Sequence, residues 1–251
     1  MKNESVLTRR MEFTLKEKLY TIPVNEAFDA DTECPICHMK KTLEESAIEF
    51  TMGPSYMEDD VRAETDKIGF CSHHVSKLYE NQNRLGLALM LKTHMDKTIA
   101  DLEKLSTKSG KSTSSFLKKK SDITPVKAYV NHLDESCYIC DKINNSFNRY
   151  ILTLFTLYNT EEAFRDKFKH SKGFCTTHYG LLFEEASNYL SSTTLEDFRK
   201  ILTTLYLDNL KRVKGDLEWF IDKFDYRYVN EPWKNAKDAL IRTLVKTNST
   251  L

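Results

Sequence analysis

Six cysteines, all falling into one spacing that occurs twice, constrain this chain more than any other feature in it. The first set is Cys34-Pro-Ile-Cys37, followed by Gly69-Phe70-Cys71-Ser72-His73-His74. The second is Cys137-Tyr-Ile-Cys140, followed by Gly173-Phe174-Cys175-Thr176-Thr177-His178. The Cys-x-x-Cys pairs lie 103 residues apart and the Cys/His pairs 104, which reads as an internal repeat with a one-residue slip.

The spacing suits a metal. Two thiolates separated by two residues fold over one ion in a tight turn. Cys and His at i and i+3, where a helix opens, share one helical face, and the helix dipole there favours a thiolate. Each set supplies three sulfurs and one imidazole, the donor set of a closed, tetrahedral, structural zinc site, so two zinc ions are expected. The ligands read from this order are Cys34, Cys37, Cys71 and His74 for the first ion, and Cys137, Cys140, Cys175 and His178 for the second. His74 aligns with His178 and is preferred to His73. Three disulfides are disfavoured because Met1–Lys18 is charged throughout and lacks the apolar stretch of a secretory signal. Cys34-Pro-Ile-Cys37-His38 matches a c-type haem attachment, but the second copy carries Asp141 in place of the histidine. Iron–sulfur ligation by the same donors is the remaining alternative.

Glycine and proline number 7 and 5 in 251 residues, too few for a turn-rich sheet protein. Periodicity agrees with an all-α fold. Leu78, Leu85, Ala88, Leu91, Met95, Ile99, Leu102 and Leu105 trace one stripe of a long amphipathic helix after His74. A second long helix is expected over Leu195–Phe224, capped by Thr194. Thr124 and Pro125 suit the start of another. A short amphipathic helix through Ala239, Leu240, Leu244 and Val245 closes the chain, after an aromatic cluster of Tyr226, Tyr228 and Trp233. The expected organisation is two pseudo-repeated halves, 1–105 and 123–251, each built on its own Cys3His zinc site. The Ser/Lys-rich segment 106–122 reads as a flexible linker between them.

Lys plus Arg and Asp plus Glu are equal at 37 each, so no global field draws the chain to nucleic acid or to an anionic membrane. No apolar run reaches the ~20 residues of a membrane span. A cytoplasmic location, where thiols stay reduced, is the expectation. No phosphate loop, His-Glu-x-x-His, Gly-x-Ser-x-Gly or Glu-x-x-His pair is present.

The motifs Glu33-Cys-Pro-Ile-Cys37, Asp60-Val-Arg-Ala-Glu-Thr65, Asn83-Arg-Leu-Gly-Leu-Ala-Leu89, Asp225-Tyr-Arg-Tyr228 and Asn230-Glu-Pro-Trp233, with Cys137–Cys140 and Gly173-Phe-Cys175, resemble an uncharacterised bacterial family, domain of unknown function sixty-sixty-two. The resemblance covers nearly the whole chain and implies no activity. It marks Arg62, Glu64, Arg84 and His94, outside the cysteine motifs, as the place for a functional surface. The sequence therefore supports a zinc-binding helical protein acting as a binding or regulatory module, its partner a protein or a small ligand. A metal-dependent enzyme or a thiol-based redox sensor are the alternatives.

Overall fold

The computed structural model describes residues 19–109 and 123–249, and every regular element among them is helical. The chain divides into two compact units. One contains the chain through Lys41 together with Phe147–Leu251, and the other contains Thr42–Ser146. These units do not coincide with the halves expected from the repeat. The expected linker is also corrected at its start, since residues 106–109 continue a helix; 110–122 lie outside the described residues.

In the first unit, α1 covers residues 19–29 and α2 (Pro35–Met52) begins. The unit takes up the later part of α7 (Tyr138–Thr160) and continues with α8 (Glu162–His170), α9 (Thr176–Tyr189), α10 (Ser192–Asp222) and α11 (Ala239–Asn248). Its core is aromatic. Phe28, Phe155, Phe164, Phe168, Phe174 and Phe198 are buried, and the Phe168 ring lies 5.2–5.9 Å from those of Phe28, Tyr158, Phe174 and Phe198. Stacked, tilted and edge-on rings at these separations add to the stabilisation from area burial alone. α9, α10 and α11 pack on one another.

The second unit holds the rest of α2, a 3-10 turn at Pro54–Met57, and α3 (Asp59–Ile68), α4 (Ser72–Glu80), α5 (Arg84–Ser109) and α6 (Pro125–Glu135), then the start of α7. Its core joins Ala47, Met52, Val61, Leu78, Leu87, Met90, Tyr138 and Ile139 to Cys137.

The single stripe expected after His74 is two helices. The chain breaks between α4 and α5, where Gln82 takes a φ of 71°, and Leu78 is buried while Leu85, Met95 and Ile99 are exposed. The cap of α10 also moves: Ser191 is its N-cap, and Thr194 lies inside the first turn, its hydroxyl 3.1 Å from that of Ser191. Thr124 caps α6 as expected, accepting from the Lys127 N–H at 3.2 Å with Pro125 in the first turn. α11 forms where expected, yet it buries Ala239 and Lys246 while Leu240 and Leu244 are half exposed.

Candidate metal centres

The Gly-Phe-Cys segments are built alike. Gly69 and Gly173 have φ of 60° and 75°, a region where a Cβ is strained; at Gly69 it would also lie 2.7 Å from Nε2 of His94. Two residues later Cys71 and Cys175 take extended backbone, with φ of −69° and −74°, and become the N-caps of α4 and α9. This places His74 and His178 one helical turn beyond each sulfur and buries both imidazoles.

The four donors that meet at each centre are not those adjacent in the sequence. Cys34, Cys37, Cys175 and His178 gather in the first unit, and Cys71, His74, Cys137 and Cys140 in the second. Within each set all donor atoms lie within 4.8 Å of one another. The division into Cys34/Cys37/Cys71/His74 and Cys137/Cys140/Cys175/His178 expected from the sequence is thus corrected: each Cys-x-x-Cys pair meets the Cys/His pair of the other motif.

In the first centre Nδ1 of His178 is 3.5 Å from Sγ of Cys34, 3.3 Å from Cys37 and 3.1 Å from Cys175, and Cys37 and Cys175 are 3.7 Å apart. In the second, Nδ1 of His74 is 3.2 Å from Cys71 and 3.3 Å from both Cys137 and Cys140. A tetrahedral zinc with bonds of about 2.3 Å to sulfur and about 2.0 Å to nitrogen sets sulfur–sulfur edges of about 3.8 Å and sulfur–nitrogen edges of about 3.5 Å. The sulfur–nitrogen separations of both clusters and the Cys37–Cys175 edge are at or slightly inside those lengths, and the donor set suits the ion.

Without a cation the sulfurs cannot all ionise, because like charges this close repel. In the first centre hydrogen bonds from the Cys34 and Cys37 thiols hold Cys175 well below the ordinary thiol range. The Cys37 thiol is driven far up by Cys175 and Cys34, and burial, with Cys175 adding to it, pushes Cys34 up to about 11. In the second, burial and the neighbouring Cys137 push Cys140 up to about 12. Burial also acts upward on Cys71, but the His74 N–H and the other two thiols outweigh it and lower Cys71. Each cluster thus pairs a low thiol with one held high, the polarised state that a divalent cation would convert to thiolates.

The surroundings contain residues with no counterpart in the expected ligand pattern. Lys246, buried in α11, donates to the backbone carbonyls of Glu33 (2.7 Å) and Lys172, and its Nζ is 3.2 Å from the Glu33 carboxylate. Arg212 closes on the same carboxylate at 2.6 Å. The Ser249 hydroxyl lies 3.0 Å from Sγ of Cys175. In the second unit Glu44 takes the N–H of His73 at 2.7 Å and the Lys77 ammonium, with Nε2 of His74 3.2 Å away. Burial alone would raise Glu44, but Lys77 and His73 outweigh it and hold the carboxyl below its usual range. Glu44 and Lys246 carry no sequence signal beyond a charged residue on an amphipathic helix.

His73 is exposed and outside the sulfur cluster. Arg62, Glu64, Arg84 and His94 do not converge. Arg62 binds the Leu89 carbonyl and Thr93, His94 lies 2.9 Å from the Asp66 carbonyl, Glu64 pairs with Lys67 in solvent, and Arg84 covers the Tyr79 ring. The surface grooves of about 610 Å³ beside Phe50 and Pro54 and about 510 Å³ beside Ile201 and Leu205 are lined by none of the four. No helix among the described residues is long and apolar enough to cross a membrane.

Among the described residues, helices carrying two clusters of three cysteines and one histidine that could hold a metal define the class of protein. The chain belongs to a family of unknown function, DUF6062, whose profile matches residues 15–251. Neither the curated proteins nor the solved structures yield a match.

Proposed function

We propose that this protein is a helical binding or regulatory module whose two units are each organised by a structural zinc ion, with Cys34, Cys37, Cys175 and His178 holding one ion and Cys71, His74, Cys137 and Cys140 the other. The observation that carries the reading is the convergence of two complete four-donor sets from distant segments, each with all its donor atoms within 4.8 Å of one another and so close enough to share one ion. Four protein donors leave no coordination position for a substrate or an activated water, which supports a structural role over a catalytic one. Six free thiols support a reducing compartment such as the cytoplasm.

Protein purified without added metal should contain about two zinc ions per chain, as expected for two complete donor sets. X-ray absorption at the zinc edge should show three sulfurs at about 2.3 Å and one nitrogen at about 2.0 Å per ion. A water oxygen in the coordination shell would overturn the structural role and favour a metal-dependent enzyme. Iron with labile sulfide would overturn zinc altogether.

A further inference from the structure

Nε2 of His74 is buried and makes no hydrogen bond, and the acceptor facing it is Glu44 Oε1 at 3.2 Å. The ring's other nitrogen, Nδ1, is the one turned to the three sulfurs. We propose that Glu44 is a positioning residue for the second metal centre: its carboxylate, 3.2 Å from Nε2 of His74 here, takes up the Nε2–H in the metal-bound chain, fixing the tautomer and the ring plane that present the Nδ1 lone pair to the ion.

The environment of Glu44 is built for this role. Its side chain is 16% exposed, and its second oxygen is held by Lys77, so the carboxylate cannot turn away without losing an ion pair. The Lys77 ammonium also argues against reading Glu44, His73 and His74 as a separate cation site, since it already neutralises the carboxylate a second cation would need. The other centre has no equivalent: among the described residues no carboxylate pairs with His178, whose ring lies 6.2 Å from that of Phe147. Two centres with identical donors should therefore differ in how firmly the imidazole is held. An imidazole whose far nitrogen donates to a carboxylate is a more basic and better oriented ligand, and loss of such a partner weakens metal binding by about 10–100-fold.

This inference rests on the metal reading above, and the test separates the two. The full chain is loaded with zinc, or with 113Cd for NMR, and titrated with a competing chelator; the nitrogen resonances of His74 and His178 report each centre. Glu44→Met should weaken the His74 centre by about 10–100-fold, and the nearly isosteric Glu44→Gln by less, with the His178 centre unchanged. The exchange-protected Nε2–H signal of His74 in the parent should move or vanish in both. If neither cluster of the parent binds metal, the metal reading itself fails. If both bind and the His74 centre keeps its affinity within about twofold in both variants, or the two centres weaken equally, the role of Glu44 is overturned. Should Glu44→Met fail to fold, Glu44→Gln decides alone through the Nε2–H signal.

Discussion

At the first centre the carbonyl of Lys172, just before Gly173, accepts from the buried ammonium of Lys246; at the second, the matching carbonyl of Ile68, just before Gly69, accepts from the Ser136 hydroxyl at 2.8 Å. The next carbonyl continues the contrast. Gly69 O takes the N–H of Tyr138 at 3.0 Å, whereas the first Cys-x-x-Cys has Pro35 at that position and no N–H to give. At these two carbonyls, one centre is thus tied together by the backbone and a neutral hydroxyl. The other depends on a lysine brought in by α11, far along the chain, with Glu33 and Arg212 to balance it. The carbonyls of the same motif can be held by neutral hydrogen bonds or by a buried charge network, and at these carbonyls the charge network is the more sensitive to loss of one member.

The sharpest way to break this comparison is to count metals in paired variants. Cys34→Ser with Cys175→Ser should remove one zinc, and Cys71→Ser with Cys137→Ser should remove the other. Cys34→Ser with Cys71→Ser should remove both. Were the ligand sets those of the sequence order, the Cys34/Cys71 pair would cost a single ion, so elemental analysis decides between them. Zinc binding in small finger peptides is worth on the order of 10–16 kcal/mol, comparable with the total stability of about 5–15 kcal/mol of a domain, so each loss should lower the melting temperature of its own unit sharply. A variant that loses an ion and melts within a degree or two of the parent would show that the metals only decorate the fold.

Next in size is the buried network. Lys246→Met leaves the Glu33 carboxylate buried with Arg212 as its remaining partner and should cost about 3–5 kcal/mol. Ser136→Ala should cost only about 1 kcal/mol. Chemical denaturation of both variants checks the ratio, and equal losses would erase the distinction between the centres.

Metal and pH should act in opposite directions. In the metal-free chain Cys34 and Cys140 keep their protons to about pH 11 and 12, while the unfolded chain loses them near the ordinary value of 9.0. The folded state then binds more protons above that value, so stability falls as pH rises through this window. Cys71 and Cys175, lowered on folding, supply the other arm, losing their contribution as pH falls through their depressed values. These thiols should therefore make the metal-free melting temperature fall toward both acid and alkali. With zinc bound all the sulfurs are deprotonated, so the alkaline fall should vanish and acid alone should destabilise. Melting curves across pH with and without zinc would show it; an unchanged alkaline arm would contradict metal at these thiols.

The smallest effect should come from Ser249→Ala, which deletes the hydroxyl beside Cys175 and should cost no more than about 1.5 kcal/mol. It should weaken only the first centre, seen as faster zinc loss to a chelator.

The sequence by itself determined the donors, the helical class and the two local knuckles. Cys-x-x-Cys and Gly-Phe-Cys-x-x-His are short-range patterns, and a positive φ at glycine followed by an N-cap cysteine follows from the residues within one turn of it. Tertiary structure alone decided which knuckle meets which. Pairing within each motif would close loops of about 34 residues, while the observed pairing spans 138 residues for Cys37 with Cys175 and 63 for His74 with Cys137. Loop closure grows only logarithmically, about 0.6 kcal/mol per doubling, so the longer loops cost about 2 kcal/mol in all, less than the packing of either core can supply. The aromatic cluster around Phe168 and the apolar cluster around Leu78 are what bring the segments together, and no spacing along the chain records them. Lys246 and Glu44 were hidden for the same reason: a charged residue on an amphipathic helix reads as solvent-facing until the element packed against it is known.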